Sequence, residues 1–217
     1  MQILKEEVRA NILKAALLEF KQVGYSNASI RRIAMAAGVT SGNIYRYYKN
    51  KEQLFDAIVL PVHNQYIDSL EEIRRKVQLS YARGATSAPD FFSRIERAFI
   101  ELFKTYSSEF TILLNRSEGT KYEGVKPELE DLVSSLLERV LAKPVGDEVS
   151  PSAENRAVAG MLASTIVEGI CVIFRDNEEG ETLKFLIDQY LSVYSKGIAG
   201  LIHSDKENRS GCCENNH

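Results

Sequence analysis

The stretch from Ser29 to Lys51, SIRRIAMAAGVTSGNIYRYYKNK, leaves this chain little conformational choice. Ile30, Ile33, Ala34 and Ala37 fall at i, i+3, i+4 and i+7, one apolar stripe at helical period, with Arg31 and Arg32 off the stripe. Ser29 is placed to cap this helix, its side-chain oxygen accepting an otherwise orphaned backbone N–H. Gly38 suits the left-handed stop, and Val39 can plug the corner that follows. Thr40 is a second cap residue, and Ile44 with Tyr48 gives the next helix its inner face. Gly42, Asn43 and Arg46, flanked by Tyr45, lie on the opposite face. Two short helices joined in this way make a helix-turn-helix, whose second helix fits a major groove.

The charge distribution agrees with that reading. No acidic residue occurs between Phe20 and Lys51, a span that holds Lys21, Arg31, Arg32, Arg46, Lys49 and Lys51. Residues 1–52 carry nine Lys/Arg and four Asp/Glu, a net of +5; the remainder of the chain carries 18 and 26, a net of −8, which together give the overall −3. A basic head on an acidic body suits a polyanionic partner.

Between Arg9 and Phe55 the chain resembles the TetR family of bacterial transcriptional regulators. The residues that carry the resemblance are Ile12, Leu13, Ala15, Ala16 and Phe20, Gly24-Tyr25, Ser29-Ile30, Ile33-Ala34, Ala37-Gly38-Val39-Thr40, Gly42-Asn43-Ile44-Tyr45, Tyr47-Tyr48 and Lys51-Glu52-Gln53-Leu54-Phe55. Beyond Phe55 the match is one of style. The resemblance implies an all-α protein: an N-terminal three-helix DNA-binding head and a larger helical body for ligand binding and dimerisation. It implies DNA contacts at Thr40, Ser41, Gly42, Asn43, Tyr45, Tyr47 and Lys51, and a small molecule in the body that releases DNA.

The residues themselves sort into similar roles. Lys51, at a helix start, the caps Ser29 and Thr40, and Tyr47 and Arg32 suit phosphate oxygens. Ser41, Asn43, Tyr45 and Arg46 suit base edges: Asn pairs with adenine, Arg with guanine, and an aromatic edge meets a thymine methyl. Gly42 permits close backbone approach, Tyr48 shares the Ile44 face and belongs to the core, and core packing competes with base contact for Tyr45.

Other classes fit less well. Cys171 sits in an apolar run and Cys212-Cys213 in a polar tail, so neither a disulfide framework nor a zinc site is expected, and a reducing cytoplasm is. The N-terminus has charges throughout and no cleavable apolar core. His63, His203 and His217 lie far apart, with no nucleophile motif or phosphate-binding glycine loop, so catalysis is not expected, and no cofactor or metal is implied.

Along the chain, a first helix runs from about Lys5 to Val23 and stops at Gly24. Asn50 caps a connecting helix through Val77, with Gln53 as capping-box partner and Pro61 a point of kink or break. Phe91 to Asn115 is strongly aromatic; Ser117–Lys126 and Pro144–Ser152 read as loops, and Pro127–Lys143 as an amphipathic helix. Ala157 to Phe174 holds a single charge, Glu168; that charge and the flanking residues argue against a membrane span, so the helix is expected to be buried on all sides. With Thr182–His203 it offers more apolar face than one small body covers, which predicts a homodimer through the last two helices as a four-helix bundle. The expected organisation is therefore 1–51 head, 52–80 connecting helix, 81–203 regulatory and dimerisation domain, and 204–217 disordered tail. Ligand-pocket candidates are Tyr66, Phe92, Phe99, Phe103, Tyr106, Phe110, Glu168 and Cys171, for which plain core packing is the competing reading. The functional expectation is a ligand-released homodimeric repressor on a palindromic double-stranded operator; the alternative is a DNA binder of the same fold without a small-molecule inducer.

Overall fold

The structure, a computed structural model, describes residues 2–82, 108–145, 148–177 and 181–210. Helix α1 spans Gln2–Asn27, α2 Ile30–Ala36, α3 Ser41–Tyr45 and α4 Lys51–Ala82. Residues 108–115 are helical and are called α5. Then come α6 (Val125–Leu141), a hairpin of β1 (Lys143–Val145) and β2 (Glu148–Ser150), α7 (Ala153–Asp176) and α8 (Glu181–Ser210). The fold is all-α but for that hairpin, as expected. The described residues group into two compact units: one runs to Leu70 and includes 108–126, the other holds Glu71 to Ala82 and Pro127 onward.

The core of the first unit is the set the helical stripes marked. Ile12, Ala16 and Phe20 of α1, Ile33 of α2, Ile44 of α3, and Leu54 and Phe55 of α4 are all fully buried. Each large apolar side chain so placed contributes about 1.5–3 kcal/mol. Phe20 and Phe55 meet edge to face at 4.9 Å, and Tyr25 meets Phe55 at 5.0 Å, tying α1 to α4.

Gly24 breaks α1 as expected, with φ 76 and ψ 168, but the chain regains helical form and α1 ends only at Asn27. Gly38 takes φ 68, and Val39 N donates to Ala34 O at 2.9 Å, the wrap that closes a helix through a left-handed glycine. At the start of α4, Gln53 N donates to Asn50 Oδ1 (2.8 Å) and Gln53 Oε1 accepts from Lys49 N (2.9 Å). Helix α4 continues through Pro61 rather than breaking. Leu60 and Pro61 face solvent, and the residue four back is the small Ala57, whose carbonyl water can reach.

The segment 116–126, expected as a loop, is turn-rich and packed against the head. Tyr25 N donates to Arg116 O (3.0 Å), Ser26 Oγ to Glu118 O (2.9 Å) and Lys121 Nζ to Asp56 Oδ2 (2.8 Å). Gly119 has φ 78, and a Cβ there would stand 3.0 Å from Ser26 Oγ. The Tyr122 ring is buried beside Phe55 and His63. Burial raises its phenol pKa and the Asp56 carboxylate raises it further, although the hydroxyl makes no well-formed hydrogen bond.

In the second unit, part of the expected 144–152 loop is the hairpin, paired Lys143↔Ser150, Pro144↔Val149 and Val145↔Glu148. Its sequence signal is a Gly-Asp pair between two short runs. Ser152 caps α7 by accepting from Asn155 N, and Asn155 Nδ2 donates to Leu141 O at 2.8 Å, closing the end of α6. Helices α7 and α8 approach closely at Gly169. A Cβ there would lie 2.0 Å from the Tyr190 hydroxyl, which donates to Thr165 O at 2.5 Å.

Helix α7 is not buried on all sides, contrary to expectation. Ala159, Ala163, Ile166, Val167, Ile170, Cys171 and Phe174 are buried, whereas Met161, Ser164, Thr165 and Glu168 are exposed. The exposed set follows its own i, i+3, i+4, i+7 stripe, a face that this single chain does not cover. It is the one helix among the described residues long and apolar enough to span a bilayer. Helix α8 runs past the expected end at His203 to Ser210, since Asp205-Lys206-Glu207 continues with helix-forming residues and no glycine or proline intervenes before Gly211.

Candidate nucleic-acid interface

The reading helix α3 is short, and its ends decide its position. Thr40 Oγ1 accepts from Asn43 N at 3.2 Å, the capping bond expected of it. Ile44 is buried beneath, and Tyr48 packs behind it at 5% exposure, its hydroxyl accepting from Arg9 Nε at 3.3 Å. That bond is the largest cause of the raised Arg9 pKa. With Ile44 and Tyr48 inside, Gly42, Tyr45 and Arg46 are exposed, while Ser41 and Asn43 are half-buried. Tyr45 is 52% exposed, which sets it apart from Tyr48 and resolves the competition between surface and core for the free chain. A Cβ on Gly42 would meet only Thr40 Oγ1 at 3.9 Å, so nothing in the fold itself demands a glycine there.

The residues assigned to phosphate divide into two groups. Ser29 stands at the N-cap of α2 with extended backbone, but its side chain makes no capping bond. Glu19 does that work instead: its Oε1 accepts from Ser29 N at 3.0 Å and from Arg32 Nε at 2.7 Å. Burial alone would raise the Glu19 pKa, but the Arg32 hydrogen bond, the Ser29 N–H and the Arg32 charge outweigh it and leave the carboxyl below its ordinary value. Arg32 also donates to Asn27 O at 2.7 Å. Tyr47, half-buried, donates to Lys5 O at 3.4 Å.

Lys51 has the fullest set of internal partners. Its Nζ donates to Tyr25 O (2.7 Å), Ala28 O (3.2 Å) and Ser26 O (3.4 Å), and it lies 4.4 Å from the Tyr25 ring centroid. Burial lowers its pKa. Arg31, Arg46 and Lys49, by contrast, are exposed. Sequence reasoning missed Glu19 and the 116–122 segment. Glu19 carried a signal, as the acidic residue nearest an otherwise basic stretch; the docking of 116–122 had none at short range.

Of the pocket candidates, Tyr66 and Phe110 are buried together, ring centroids 6.2 Å apart, with the Tyr66 hydroxyl donating to Val125 O at 3.2 Å. Cys171 is buried and Glu168 is exposed, so the expectation of a carboxylate inside an apolar helix is corrected: Glu168 falls on the uncovered stripe. Phe92, Phe99, Phe103 and Tyr106 lie outside the described residues.

Residues 12–58 match the domain described as bacterial regulatory proteins, tetR family. Over 189 residues the chain is 24% identical to the uncharacterized HTH-type transcriptional regulator YhgD of Bacillus subtilis (strain 168), spanning 73% of this chain and 94% of that protein. Its fold is similar to that of a TetR-family transcriptional regulator from Bordetella parapertussis 12822, with TM-score 0.57 and 21% identity, covering 86% of this chain and 93% of that one. It is also similar to AibR, solved in complex with isovaleryl coenzyme A and operator DNA, with TM-score 0.53 and 20% identity, covering 86% of this chain and 97% of that one. A capped helix-turn-helix with a polar outer face, a matching N-terminal domain and a shared fold across the body lead to one conclusion: the chain belongs to the TetR family of bacterial transcriptional regulators.

Proposed function

We propose that the protein is a homodimeric repressor, acting in the cytoplasm, that binds a palindromic operator and is released from it by a small molecule. The observation that carries the proposal is the outer face of α3: Ser41, Gly42, Asn43, Tyr45 and Arg46 surround a buried Ile44, with Thr40 capping the end that leads into a groove. In this reading Asn43 and Arg46 meet base edges, Tyr45 a thymine methyl, and Ser29, Thr40 and Tyr47 phosphates.

The dimer is supported by what α7 and α8 leave uncovered. Met161 and Val193 are 59% and 69% exposed. On α8, Gly197 and Gly200 lie near Val193 in the helical repeat, and a Cβ at either would meet nothing within 4 Å. Bare glycines beside large exposed apolar groups suit helices of a second copy at close range. Glu168 then belongs to the interface, and Tyr66, Phe110 and Cys171 remain the pocket candidates among the described residues. The AibR complex makes acyl-CoA thioesters the first ligand class to try.

Footprinting of the full chain on genomic DNA tests the proposal. Few sites are expected, each an inverted repeat with half-site centres about 34–36 Å or more apart. Many unrelated sites without twofold symmetry would point to an architectural DNA binder. Thermal shift with short acyl-CoAs and with cationic hydrophobes tests the ligand. An effector must also lower operator affinity, by about 1–3 kcal/mol of coupling, because equal binding to both states shifts nothing.

A further inference from the structure

Lys51 opens α4, and a cation in the first turn of a helix opposes the helix dipole. The C-terminal end of α1 needs a cation, yet its own last turn holds no basic residue. Lys51 supplies one from elsewhere in the chain. An ammonium has three protons, and here three carbonyls, those of Tyr25, Ser26 and Ala28, accept from it. Arg32 adds a second borrowed cation at Asn27 O, held by Glu19. The carbonyls from Tyr25 to Ala28 are thus closed by side chains of α2 and α4.

We infer that Lys51 is a positioning residue that clips the α1–α2 corner to the start of α4, and is not one of the phosphate ligands. The inference rests on the DNA-binding reading above. Its consequence for the reader is direct. Ala28 O immediately precedes Ser29, from which α2 starts, and α2 packs on α3. Releasing the clip lets α2 shift against α1, and α3 shifts with it. The other side of the same corner receives the 116–118 carbonyls through Tyr25 N and Ser26 Oγ, so Lys51 also braces the place where that segment meets the head.

The test compares Lys51→Ala with Lys49→Ala in the full-length protein. Two quantities are measured: the slope of log affinity against log salt on a duplex, and amide hydrogen exchange across Tyr25–Arg32. Losing a phosphate contact lowers the slope by about 0.9. Lys51→Ala is expected to weaken binding at every salt concentration with the slope unchanged, and to speed exchange at the corner. A slope lower by about 0.9, or unchanged exchange, overturns the inference. If the wild-type protein shows no salt-dependent duplex binding, the DNA-binding reading fails and exchange alone judges the clip. Should Lys51→Ala not fold, Lys51→Met keeps the stem over Tyr25 and is read in the same way. Collapse of both variants beside a folded Lys49→Ala supports the clip, since a surface contact to phosphate does not hold a fold together.

Discussion

What α3 leaves exposed on the head is polar and cationic, Tyr45 aside; what α7 and α8 leave exposed in the body is apolar. Both surfaces lack a partner in the single chain, and the chemistry of each says which kind. A face bearing Arg46 over a buried Ile44 keeps its charges solvated until a polyanion replaces the water. A face bearing Met161 and Val193 with bare glycines gains by excluding water, which suits another copy of the same helices. The difference also shows inside the head. Arg46 and Lys49 point outward, while Lys51 and Arg32 are turned onto carbonyls, so positive residues close together in sequence have separate uses.

The contrast is broken most severely at α8. Val193→Arg puts a charge into the proposed interface; it should give monomers in sedimentation and weaken operator binding at least about a hundredfold, as the second head is no longer tethered. A persisting dimer would remove this stripe from the interface. Next comes Gly169→Ala, which forces Tyr190 off its bond to Thr165 and should cost about 1–3 kcal/mol in denaturant unfolding. The loss should shrink when Tyr190 is already alanine; equal losses in both backgrounds would show that the tight approach is not the cause.

On the head, Asn43→Ala should relax base preference at one position per half-site, worth about 1–3 kcal/mol against the wrong base, in a selection from random duplexes. An unaltered preference rejects the reading role. The smallest effect is at Glu19. Because its folded pKa is lowered, the stabilisation is full above the ordinary carboxylate range and is lost as pH falls through the folded value. The wild-type melting temperature should therefore fall by a few degrees more than that of Glu19→Gln between about pH 5 and pH 3. Parallel curves would show that the Glu19 pairing does not stabilise the fold.

The head was legible because its signals are local. Gly38, Thr40, Asn50 and Gln53 each act within a few residues of themselves, and each does what its type and spacing indicate. The α3 face was legible for the same reason, since Ile44 and Tyr48 define its inside by period alone. Segment 116–122 was not: its contacts reach Tyr25, Ser26 and Asp56 across long sequence separations, and no periodicity records them.

Amino-acid order by itself determined the helix-turn-helix, the sign of its charge and the surplus of apolar face in the last two helices. Tertiary structure decided which cations face outward, because a lysine at a helix start reads the same whether its ammonium meets solvent or the end of another helix. It also decided that Glu168 lies on an open face of α7, because in so apolar a run only the neighbouring helices select which side is covered.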